Sequence, residues 1–90
     1  MTAIVTKKSV TTSQEKLFSI TFNLQVTDGT VVIDQDFSTE YRPGDNIADK
    51  IGAVVKSMQL VIDNYKASKT IFTSTQLNTA VTSIQGGLVL

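Results

Sequence analysis

The chain has 90 residues, 41% of them hydrophobic and 18% charged, with eight basic side chains balancing eight acidic ones. That length suits a single domain over residues 1–90 with a thin core, since a chain of this size buries only roughly 60 to 65% of its unfolded surface. With no cysteine and no histidine, disulfides, thiolate nucleophiles, imidazole bases and thiolate or imidazole metal sites are all excluded. The zero net charge leaves no global field to hold a phosphate backbone or an anionic membrane, so neither nucleic acid nor membrane is an expected partner.

At the N-terminus the short apolar run Ala3-Ile4-Val5 is cut off by Lys7-Lys8. No stretch approaches the 18 or more apolar residues of a membrane span, and nothing reads as a signal peptide, so a cytoplasmic protein is expected. Residues 4–12, rich in Thr and Val, form a first strand by propensity. The adjacent lysines suit a sheet edge, where charge discourages pairing with another chain.

From Phe18 to Val26 apolar and polar residues alternate without a miss, which is the period of a half-buried strand. Asp28-Gly29 then reads as a two-residue hairpin turn. Such a turn pairs Val26 with Val31, Leu24 with Ile33, Phe22 with Gln35, Ile20 with Phe37 and Phe18 with Thr39. One face of the hairpin is then dry, and the other collects Ser19, Thr21, Asn23, Gln25, Val32, Asp34, Asp36 and Ser38.

Arg42-Pro43-Gly44-Asp45 ends the second hairpin strand, and Asp45 is a candidate helix N-cap. Ile47, Ile51, Val54, Val55, Met58, Val61, Ile62 and Tyr65 lie on an arc of roughly 120° at helical spacing, a core-facing stripe. A helix over 46–67 is therefore predicted, laid across the dry face. Residues 68–72 are ambiguous. Leu77, Ala80, Val81 and Ile84 are spaced for a second helix over 73–85, with Thr73 and Gln76 as a capping box and Gly86-Gly87 as its stop. The expected fold class is α+β: a small two-layer domain in which an antiparallel meander packs on one long amphipathic helix, with a second, short C-terminal helix.

The chemistry-bearing residues are few. Asp34-Gln35-Asp36 has the oxygen spacing that opens an EF-hand loop, and Glu40 extends the acidic row, so these three are the candidate metal ligands. The remainder of that loop is missing, because Thr39 stands where its glycine is required. Side chains two apart on a strand also share a face without converging on an ion. As catalytic carboxylates they lack the desolvation that general-acid work needs. No phosphate loop, nucleophile motif or cofactor fingerprint is present.

On the helix face opposite the core stripe, Ala53, Leu60 and Ala67 recur every seven residues. They join Leu17, Val32 and the tail Leu88-Val89-Leu90 as apolar groups without an obvious cover. The interface candidates are therefore Ala53, Leu60, Ala67, Leu88 and Leu90. The expected function is that of a non-enzymatic interaction or assembly module that self-associates, most simply as a homodimer, without a cofactor. A cation or small-ligand binder acting through Asp34, Asp36 and Glu40 is the first alternative, and a carboxylate enzyme the second.

Overall fold

Alternating side chains and two tight reversals build an antiparallel sheet from the first 41 residues. In the computed structural model, which describes residues Met1–Leu90 throughout, β1 (Thr2–Gln14), β2 (Leu17–Asp28) and β3 (Thr30–Tyr41) form a three-stranded meander in the order β1-β2-β3. The helices α1 (Ile47–Phe72) and α2 (Thr75–Gly87) come after the sheet. This is the expected small α+β arrangement. The chain divides into two compact units, Met1–Leu60 and Val61–Leu90.

In the first unit the hairpin register differs from the prediction. Val26 pairs with Ile33, Leu24 with Gln35, Phe22 with Phe37, Ile20 with Thr39 and Phe18 with Tyr41, two residues further along β3 than a two-residue turn dictates. The cause lies at the reversal. Asp28 stays in the ladder opposite Thr30 and only Gly29 turns with positive φ, at 78°, whereas a type I′ turn needs positive φ at both central residues. A bulge between Val26 and Thr27 then absorbs Val32 as an extra residue on β3. The displacement is even, so the side chains from Ile33 to Thr39 keep their predicted faces, whereas Val31, expected on the dry face opposite Val26, lies beyond the bulge opposite Thr27 and is 52% exposed. It also places Phe22 opposite Phe37 and Phe18 opposite Tyr41, aromatic cross-strand pairs that the predicted register lacked.

The dry face is where the core sits. Leu24 and Val26 on the central strand are each only 1% exposed, and Ile20, Ile33, Val54 and Met58 are buried with them. Leu17, expected to lack a cover, is also buried. Two of the eight stripe residues on α1, Val54 and Met58, are buried, and Ile51 is half-buried. Val5, Phe22, Ile51, Val54, Val55 and Met58 line one common hollow, so the first half of α1 lies over the sheet.

The entry to α1 corrects the predicted cap. Asn46 Oδ1 accepts from the backbone N–H groups of Ala48 at 3.0 Å and Asp49 at 3.4 Å, the N-capping arrangement. Asp45 instead closes the preceding turn: its Oδ2 accepts from the Arg42 N–H at 2.9 Å, while its own N–H donates to the Arg42 carbonyl at 2.9 Å. With Pro43 ahead of it, Gly44 occupies the positive-φ position of that turn, at 100°.

In the second unit, the ambiguous residues 68–72 continue α1 to Phe72. Ser74 rather than Thr73 caps α2, its Oγ accepting from the Leu77 N–H at 3.1 Å. Gly86 and Gly87 belong to α2 instead of stopping it. Neither adopts positive φ, the conformation through which glycine ends a helix, and the Leu88 N–H reaches back to the Gln85 carbonyl at 3.3 Å.

Candidate functional site

The polar face of the sheet carries a cluster of charges, and a second, looser ion pair joins Lys50 Nζ to Asp45 Oδ2 at 3.9 Å by the start of α1. Asn23, on the central strand, donates through Nδ2 to Asp34 Oδ1 at 2.7 Å and to Asp36 Oδ1 at 3.0 Å, holding the two β3 carboxylates side by side. Lys8 spans the sheet from β1 and donates through Nζ to Asp36 Oδ2. A bulge puts it there: the β1–β2 register shifts between Lys7 and Ser9, which leaves Lys8 as the additional residue. Beside this group the hydroxyls of Thr21 and Ser38 meet at 2.9 Å.

These contacts set the protonation of the cluster. Hydrogen bonds from Lys8 and then Asn23 hold the Asp36 carboxyl below the usual carboxylate value. The hydrogen bond to Asp36, followed by its negative charge, pushes the Lys8 ammonium above its usual value. Both side chains are well exposed, at 57% and 42%, so solvent screens the pair and its share of stability is small.

Of the three candidate metal ligands, Asp34 and Asp36 are brought together through Asn23. Glu40 lies four residues along β3, opposite Ser19, and no group of three acidic side chains is close enough to hold a metal ion. No polar or charged residue is buried. Two small hollows of about 100 Å³ each lie between the sheet and α1, one lined by Phe37, Ser38, Thr39, Ala53, Val54 and Ser57 and the other wholly apolar. Pockets that take drug-sized ligands run from about 300 to 1,000 Å³.

The interface candidates are all exposed: Leu60 by 60%, Leu88 by 63%, Leu90 fully, and Ala53 and Ala67 on the surface of α1. They are part of a larger set. On β1, Ile4, Val5 and Val10 are each more than half exposed, as are Val31 on β3 and Val55 on α1. In the second unit none of the residues from Val61 to Leu90 is buried, and the α2 stripe of Leu77, Val81 and Ile84 is 36%, 55% and 64% exposed.

Sequence reasoning missed the Lys8–Asp36–Asn23 chain because it depends on where β1 pairs, and that register has no local signal. The Asn46 cap was legible in principle, since Asn ranks with Asp at this position. No helix is long and apolar enough to cross a membrane. No family model, curated protein or solved structure matches the chain.

Proposed function

We propose that the protein is a non-enzymatic assembly module that self-associates, with a homodimer as the smallest assembly. The observation that carries this reading is the apolar surface of the second unit, where α2 turns Leu77, Val81 and Ile84 outward, with Leu88, Val89 and Leu90 beyond them. Soluble monomers rarely keep such apolar groups contiguous and exposed. Each buried methylene contributes about 0.8 kcal/mol, so covering a few of these side chains outweighs their ordering cost. Leu60 offers a second contact point, 60% exposed on α1.

The polar groups support the same reading. No carboxylate is buried, so none has the desolvated setting that raises a general acid. Asp36 is engaged by an ammonium and an amide, which suits a structural pair on a wet face. Sedimentation at tens of micromolar tests the proposal. A mass above 9.7 kDa that rises with concentration is expected, and a mass of one chain at every concentration overturns it. Leu60→Lys should weaken the association while the circular dichroism spectrum stays unchanged, because the side chain already faces solvent.

A further inference from the structure

We propose that copies of this chain join edge to edge through their sheets, the outer edge of β1 in one copy pairing in parallel with the outer edge of β3 in the next. The proposal rests on the self-association put forward above and adds to its apolar surface a second contact, the sheet edges, with a stated geometry. Three strands in the order β1-β2-β3 leave two open edges, of 13 and 12 residues. At ~3.3 Å per residue each edge is roughly 40 Å long. Three strands are too few to close on themselves, and β1 is exposed at every residue. Long open edges are templates for another strand.

Charge selects the partner. The only charged residues within β1 are Lys7 and Lys8, and the only ones within β3 are Asp34, Asp36 and Glu40. Two-fold pairing of β1 with β1, or of β3 with β3, sets like charges beside each other. Pairing β1 with β3 sets Lys8 on the same face as the carboxylates, while Lys7, opposite Phe22, lies on the other face of the edge. The attraction is already seen within one copy, where Lys8 reaches Asp36 across β2. The lysines thus block one edge against itself and match it to the other.

Geometry then fixes direction. β1 and β3 both run antiparallel to β2, and so parallel to each other. A second copy that brings its β1 edge to β3 with the helix-bearing face on the same side must keep its strand direction, which makes the new pair parallel. Such an interface is heterologous, so it propagates into a ring or an open filament instead of stopping at two copies.

Two experiments on the full-length chain test this. Because the chain lacks cysteine, Thr6→Cys on β1 and Ser38→Cys on β3, both at exposed positions, give single thiols for a short bismaleimide. Cross-linked pairs should form when the two variants are mixed and not with either alone. Reversing one edge at a time, as Lys7→Glu with Lys8→Glu or as Asp34→Lys with Asp36→Lys, should each weaken assembly about tenfold, and mixing the two double variants should restore it. Cross-linking of Thr6→Cys with itself, or oligomers that form equally well after either reversal, would overturn the edge pairing while leaving self-association standing. A wild-type chain that stays monomeric overturns both.

Discussion

Replacing Leu24 by Ala probes the core at its most enclosed point. Leu24 is 1% exposed, in the middle of the central strand, on the face that α1 covers. The substitution removes three carbons, worth about 0.8 kcal/mol each in transfer free energy. The hole left behind adds about 24 cal/mol per Å³ that the surroundings fail to fill. Hydrogen-bonded strands flank β2 on both sides, so the backbone can close little of that volume and a loss of about 3 to 4 kcal/mol is expected. A domain of this length has a total stability of roughly 5 to 13 kcal/mol, so a large fraction disappears. The assay is urea unfolding followed by circular dichroism, at one fixed protein concentration because self-association would couple to folding. The midpoint should fall with an unchanged slope. Val10→Ala, at a position 55% exposed, is the control and should change stability by less than about 1 kcal/mol. A Leu24→Ala loss no larger than that of the control would refute this assignment of the core.

The remaining expectations concern the turns and the charged cluster. Asn46→Ala should cost about 0.5 to 2 kcal/mol by leaving the Ala48 and Asp49 amides without their acceptor, measured by the same unfolding, and a neutral result would return the cap to Asp45. Gly44→Ala should destabilise by about 1 kcal/mol or more through strain at φ 100°, since nothing lies within 4 Å of the added methyl to clash with it. In an NMR titration the Asp36 carboxyl should have its midpoint below that of an ordinary Asp. A depressed folded-state value means that its contribution is present above the ordinary carboxylate range and fades as pH falls through the folded value. For Lys8 the value is raised, so that contribution holds at neutral pH and fades as pH climbs through the raised value. Asp36→Asn should bring the Lys8 midpoint back down, and an unmoved midpoint would show that the two do not interact in solution.

Periodicity by itself determined the element types, because period 2 in Phe18–Val26 and the 120° stripe from Ile47 to Tyr65 each match one backbone geometry. It also determined the faces of the hairpin side chains away from the turn, and these survived an error in register because the error was an even number of residues; only at the bulge did Val31 change face. Charge placement was equally local: the lysines of one strand and the carboxylates of another can be read directly from the sequence. Tertiary structure decided the rest. Which residue of Asp28-Gly29 turns, and whether Val32 is extruded as a bulge, depends on how well Phe22 and Phe37 pair once the strands meet, a long-range term that no dipeptide encodes. The bulge at Lys8 and its reach to Asp36 depend in the same way on the β1–β2 register. Helical periodicity predicted an apolar stripe on each helix but could not say how much of it would be covered. Val54 and Met58 are buried, whereas Val81 and Ile84 stay exposed, because burial is a property of what lies opposite a side chain and the pattern specifies only which way it points.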